Sequence, residues 1–327
     1  MGLFGFGTVL APAIGPSVGG VLVEWFGWRA IFFFVLPFCL LGAELGRRFL
    51  PHSAPGGVAV NSDAPLPDGI SLLLLAALLS TLLVGMGRLQ GVDAALGWSL
   101  LGTTALLVLG FLARQRRAAA PLLRLDLFRR PVFAAGALVS GVYGATLFGS
   151  TYLLPVFMVV ALGLPPSTVG AVLMPAGLAL AIAIPVAGRC VDRWPLHRSV
   201  AGGLLAMALS FGAMVGIGPA VPIGWTVALA VLGRIGLGFV IPSLSIGALR
   251  GSEPALIAAG SSAIGFVRQL GGVLGVGLVG IGLEWRLRSH GAGGSLRAFH
   301  EVFVVMAALT LLAALTSRWM RAPSPGD

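Results

Sequence analysis

Lysine is missing from all 327 residues, so that every one of the 21 basic side chains is an arginine. Alanine, glycine, leucine and proline are abundant beside it, and the bias therefore points to GC-rich coding rather than to function. Cysteine is nearly missing as well. Cys39 falls in an apolar run and Cys190 beside a charged link, environments too different for a disulfide, and two thiols are too few for a metal site. His52, His197, His290 and His300 lie in links or at the ends of apolar runs. That placement removes the paired intramembrane imidazoles of a haem-carrying or proton-relaying protein. Without any His, Cys, Asp and Glu constellation, no enzyme, metal or cofactor is expected. Charged residues make up only 10% of the chain, and the formal excess of +10 is dispersed between apolar runs. No basic face with interleaved aromatics exists, so nucleic acid is not an expected partner. The first residues enter an apolar run without a charged segment, which argues against a cleaved signal peptide, and Phe6 occupies the place a myristoylation motif reserves for Ser or Thr.

What is present is a hydrocarbon-facing composition: 57% hydrophobic residues and a mean hydropathy of +1.00. A bilayer core about 30 Å thick takes roughly 20 apolar residues per helix. Ten such runs occur, near 3–23, 30–50, 69–87, 97–115, 132–154, 168–187, 199–217, 224–245, 257–283 and 301–320. Each is read as a helix, because an open sheet cannot satisfy its backbone in lipid. The expected fold class is an all-α membrane protein with about ten transmembrane helices. Orientation follows from arginine in the short links. Arg47, Arg48, Arg114, Arg116, Arg117, Arg124, Arg129, Arg130, Arg189, Arg193, Arg198, Arg250, Arg318 and Arg321 share one side; Arg29, Arg88, Arg286, Arg288 and Arg297 share the other. The richer side is expected to be cytoplasmic, with both termini there. The 284–300 link runs against that rule.

Ala11-Pro12-Ala13-Ile14-Gly15-Pro16-Ser17-Val18-Gly19-Gly20 is the most specific stretch. Pro16 removes a helical hydrogen bond, while Gly15, Gly19 and Gly20 strip side chains from one face so that a neighbouring helix can approach. A small-residue packing face is the plain reading. The Gly-Pro-x-x-Gly-Gly spacing also resembles the antiporter motif in the fifth helix of major facilitator superfamily drug exporters. Trp28-Arg29-Ala30-Ile31-Phe32, reaching Pro37, is similar to the entry of that family's sixth helix. Pro121 to Arg129 resembles the segment before its C-terminal bundle. Gly188-Arg189-Cys190-Val191-Asp192-Arg193, with Arg198, resembles its loop motif. Ala259-Gly260-Ser261-Ser262-Ala263, with Arg268-Gln269-Leu270-Gly271-Gly272 and Gly275, is similar to its penultimate helix.

The resemblance covers nearly the whole chain and is closest to the drug:proton antiporter branch with fourteen helices, beginning at the fifth. It implies a major facilitator fold, N-terminally incomplete: 1–50 as the last two helices of the first bundle, 51–68 as a linker, and 69–117 as the extra pair between bundles. Residues 118–130 would then be a connector, 131–321 the second six-helix bundle, and 322–327 a tail. It further implies proton-coupled efflux of lipophilic small molecules by alternating access, with protons, substrate and the bilayer as partners and a monomer as the expected state. The family's coupling acid and its partner arginine belong to the first four helices and have no counterpart here. A non-transporting fragment is therefore the alternative.

Asp192, facing Arg189, Arg193 and Arg198, can latch the cytoplasmic mouth or can belong to a solvated charge cluster. Arg234 and Arg268 fall inside apolar runs, where a charge costs roughly 2.5–3.5 kcal/mol on insertion scales. Either can hold an anionic substrate group or a helix-end carbonyl; Arg268 can instead snorkel to the cytoplasmic surface, and Arg234 lies deeper. Glu44 and Arg48 have the spacing of a boundary ion pair. Phe148, Tyr152, Phe157, Met158 and Met174 are candidates for a lipophile cavity or for core packing.

Overall fold

The structure, a computed structural model, describes residue 15 and residues 18–49, 68–91, 93–118, 121–190, 194–249, 254–291 and 293–320. Among them the chain is helical, with short links and no strand. The segments are α1 over 18–26, α2 (Arg29–Phe49), α3 (Gly69–Gln90), α4 (Ala94–Arg117), α5 (Pro131–Val160), α6 (Pro166–Cys190), α7 (Leu196–Met214), α8 (Ile223–Leu249), α9 (Pro254–His290) and α10 (Ser295–Thr316). Short 3-10 turns at Leu125–Arg129 and Ser317–Met320 precede α5 and follow α10. Eight of the helices are long and apolar enough to cross a membrane. The chain is a multi-pass membrane protein.

Helix ends follow local chemistry. Gly27, at φ 78°, separates α1 from α2, and its N–H returns to the Val23 carbonyl at 3.0 Å. Gly291, at φ 68°, closes α9 in the same left-handed conformation, with its N–H 3.1 Å from the Leu287 carbonyl. Internal prolines, such as Pro155, Pro175, Pro185 and Pro242, are carried within helices, which neighbouring membrane helices make tolerable.

Helices α5 to α10 pack together around the main core. Tyr143, Leu153, Phe157, Met158, Leu204, Met207, Phe299 and Phe303 are fully buried there. The Phe157 ring lies edge-on to Phe299 and Phe303, at 5.5 and 5.3 Å between centroids. Between apolar helices in lipid there is little hydrophobic drive, so close backbone approach matters. Glycine supplies it. On α9, a Cβ at Gly271 would lie 2.7 Å from the Gly141 carbonyl carbon of α5, and one at Gly275 would lie 2.8 Å from the Ala145 carbonyl carbon. On α8, a Cβ at Gly236 would meet the Gly203 carbonyl oxygen of α7 at 2.5 Å, and one at Gly238 the Ala183 Cβ of α6 at 2.5 Å. α8 is thereby meshed with a neighbour on each of two faces.

Helices α3 and α4 form a hairpin that rests on α9 through α3. Thr104 donates to Thr81 across the hairpin at 2.8 Å. At its open end Arg114 grips both carboxylate oxygens of Asp68, at 2.7 and 3.0 Å. Ser71 also donates to Asp68, and the buried Gln115 donates to Ser71 while accepting the Leu123 N–H at 3.0 Å. That chain of polar contacts ties the segment leading to α5 onto the hairpin. α2 differs: among its described residues none is buried, and Phe32, Phe33, Phe38 and Leu40 are all well exposed.

Candidate functional site

Among the residues of the glycine-rich first span, Gly15, Gly19 and Gly20 are described and Pro16 lies outside the described residues. A Cβ at Gly15 or Gly19 would meet nothing within 4 Å, whereas one at Gly20 would lie 2.7 Å from the Pro166 carbonyl oxygen. Gly20 is thus where α1 touches the first turn of α6. One turn further on, the Glu24 carboxylate accepts the Ser167 N–H at 3.1 Å. A carboxylate there satisfies a free donor at the α6 N-terminus and opposes the positive end of its dipole. This contact was not legible in sequence, since Glu24 and Ser167 stand far apart along the chain and each resembles a span end.

The loop motif is only partly described. Gly188 and Arg189 occupy the exposed last turn of α6, Arg198 the exposed first turn of α7, and Asp192 and Arg193 lie outside the described residues. Within this link Trp194 stacks on Phe239 of α8, 6.4 Å between centroids and 26° between planes.

Arg234 and Arg268 converge from different helices. On α8, Gly233, Gly236 and Gly238 turn toward α7 and α6, which leaves the Arg234 and Leu237 side for α5. The Arg234 Nη2 donates to the Thr151 hydroxyl at 3.2 Å. One residue-turn away, the buried Tyr143 hydroxyl donates to the Leu237 carbonyl at 3.4 Å. Arg268 approaches from α9, where its backbone carbonyl presses on Gly144 next to Tyr143. Tyr143 is within electrostatic reach of both guanidinium groups. The Arg268 side chain makes no hydrogen bond or ion pair to any described residue.

The five aromatic and methionine candidates divide. Phe157 and Met158 are fully buried core, while Phe148, Tyr152 and Met174 are 38%, 37% and 43% exposed. Phe148 and Tyr152 share the open side of α5 with Thr151. Glu44 bonds Arg48 at 2.5 Å and Arg47 at 3.4 Å, a boundary ion pair. A second charged group was missed in sequence. Because α9 runs on to His290 and α10 begins at Ser295, Glu301 receives Arg286, His290 at 3.2 Å and Arg297 at 3.6 Å. Arg288 pairs with Glu284 at 3.0 Å. Two carboxylates therefore offset most of the charge of the three arginines that oppose the topology rule. A groove of about 870 Å³ runs between α5, α9 and α10 and ends at Arg286 and Glu301. Apart from Thr146, its lining is apolar along the rest of its length, as suits a surface in contact with acyl chains.

The major facilitator superfamily model matches residues 1–276, most of the chain. The chain belongs to the major facilitator superfamily. It is 31% identical over 297 residues to the multidrug resistance protein B homolog of Mycobacterium tuberculosis, covering 88% of this chain and 53% of that protein. It is 27% identical over 311 residues to the methylenomycin A resistance protein of Streptomyces coelicolor, 91% of this chain and 62% of that one. It is 27% identical over 286 residues to a lincomycin resistance protein of Listeria monocytogenes, 84% and 58% respectively. The drug:proton antiporter family fits these relatives. The chain spans little more than half the length of the first of them. Superfamily members are transporters of small molecules, not enzymes, and the helical structure agrees with that fold.

Proposed function

We propose that the chain carries the later helices of a proton-coupled exporter of lipophilic small molecules that works by alternating access. The observation that carries this reading is the junction of α1 with α6, where Gly20 meets the Pro166 backbone and Glu24 caps the helix start. A seam made of one close backbone contact and one carboxylate bond is easily opened and reclosed, as an alternating mouth requires. The names of the relatives add drugs as the substrate class. In this reading residues 1–50 belong to the first bundle, 69–117 to an inserted pair and 131–321 to the second bundle. Both termini face the cytoplasm, and Gly188, Arg189, Asp192, Arg193 and Arg198 form the cytoplasmic gate.

Proteoliposomes holding the protein and an internal pH dye test it. Adding ethidium should move protons in proportion to dye taken across the membrane, and Gly20→Leu, which fills the seam, should stop both. Asp192→Asn should slow the exchange while leaving the amount of inserted protein unchanged. No dye-dependent proton movement in the unaltered protein would overturn the reading. Undiminished exchange in Gly20→Leu would remove the seam from it, and undiminished exchange in Asp192→Asn would remove the gate.

A further inference from the structure

Two arginines sit inside the apolar helices of the α5 to α10 group with no acid among the described residues to neutralise them. From Leu127 to Leu283 the sequence holds only Asp192 and Glu253 as carboxylates, and both fall in links outside the described residues. Glu253 directly precedes α9, and Arg268 lies about 20 Å along that helix from its first residue. Arg234 stands about 16 Å into α8. Neither position is at a helix end, where a long side chain reaches the interface. Their described neighbours are neutral: a threonine hydroxyl bonded to Arg234, and the buried Tyr143 near both. A guanidinium carries five N–H donors, and among the described residues Arg234 spends one, on Thr151.

The surroundings are fixed rather than yielding. Tyr143 is fully buried and held by the Leu237 carbonyl, and Gly144 lets the Arg268 backbone close against α5. Arg234 rises from a helix meshed on two other faces. Beside Thr151, the half-exposed Phe148 and Tyr152 offer aromatic surface along α5. Two guanidinium groups carried on closely packed helices, next to aromatic surface, match an amphipathic anion.

We propose that Arg234 and Arg268, together with the Thr151 hydroxyl, form a binding subsite for the carboxylate or sulfonate of an amphipathic small molecule whose apolar body lies along Phe148 and Tyr152. The inference rests on the transport reading only for its biological meaning, because the binding itself requires no transport. A charge-assisted hydrogen bond to a guanidinium is the stronger kind, and its geometry with a carboxylate is bidentate.

The test uses purified protein in nanodiscs of phosphatidylcholine and a matched pair of probes, dansyl-undecanoic acid and its methyl ester, whose fluorescence reports binding. At neutral pH the acid should bind at least about tenfold more tightly than the ester. Arg234→Gln and Arg268→Gln should each remove most of that preference while leaving the ester unchanged, and Arg234→Lys should keep part of it. Thermal unfolding of each variant separates a lost charge from a lost fold. The acid-to-ester ratio in the unaltered protein needs no variant and decides the matter even where a variant fails to fold. Equal affinities for acid and ester would overturn the proposal, as would a preference that survives in both glutamine variants. Loss of the probe on adding phosphatidylglycerol at equal total lipid would assign the subsite to a lipid headgroup and overturn the small-molecule reading. A charge-selective site in a protein that fails the proton-flux assay would leave this inference standing and the exporter reading fallen.

Discussion

Adding a single methyl group at Gly271 should loosen the α5 and α9 crossing measurably, because nothing around it can move aside alone. The Cβ of Gly271→Ala would lie 2.7 Å from the Gly141 carbonyl carbon and 2.8 Å from its Cα. Carbon atoms settle at about 3.5–4.0 Å, so the two backbones would have to part by roughly 1 Å. Overpacking of that kind costs about 1–3 kcal/mol, a fall in unfolding temperature on the order of 2–4 °C for a chain of this length. Gly275→Ala faces the Ala145 backbone and should behave alike. Gly272→Ala meets the ring of Phe148, a side chain that can swing away, and should cost less. Gly110→Ala, with no neighbour within 4 Å, should be neutral or slightly stabilising, since alanine favours a helix by up to about 1 kcal/mol over glycine. The assay is thermal unfolding in one detergent, followed by tryptophan fluorescence for all four variants. If Gly271→Ala unfolds with the unaltered protein, or Gly110→Ala falls as far, backbone contact is not what holds α5 to α9.

The Arg114 guanidinium on Asp68, seconded by the Ser71 hydroxyl, holds that carboxyl well below the usual carboxylate range. A depressed folded value means the contact contributes fully above the unfolded value near about 4 and is lost as pH falls through the lowered one. Asp68→Asn should therefore unfold earlier than the unaltered protein at neutral pH, with the gap narrowing below about pH 4; a gap that stays constant down to pH 3 would contradict the pairing. For orientation, a protein with Cys39 and Cys190 replaced by serine accepts one exposed reporter at a time. Arg117→Cys should react with a membrane-impermeant maleimide only after the cells are opened and Gly293→Cys while they are intact, and the reverse pattern would invert the assigned topology.

Most helices were legible because an apolar run long enough to cross a bilayer has few alternatives. The end of α9 was not. Glu284, Arg286 and Arg288 interrupt the apolar pattern after Leu283, yet the Glu284 and Arg288 pair one turn apart supports a helix, and Glu301 draws Arg286 across from α10. Arg234 and Arg268 stood out as charges in apolar runs. Their surroundings did not, since Thr151 and Tyr143 lie more than 80 residues before Arg234 and leave no local pattern. The division of Phe157 and Met158 from Phe148 and Tyr152 was also hidden. α5 is apolar on every side, so only packing shows which side faces the core.

The meshing of α8 with α6 and α7 limits how this part of the molecule can change shape. Side chains at an ordinary helix contact can trade rotamers and let one helix slide past another. Here main chain rests on main chain at Gly203 and Gly236, and Gly238 is pressed against Ala183, so no rotamer change frees them. α6, α7 and α8 must travel as a single slab. Whatever displacement the protein makes is then concentrated where this slab meets its neighbours, and any movement of the first turn of α6 pulls directly on Glu24.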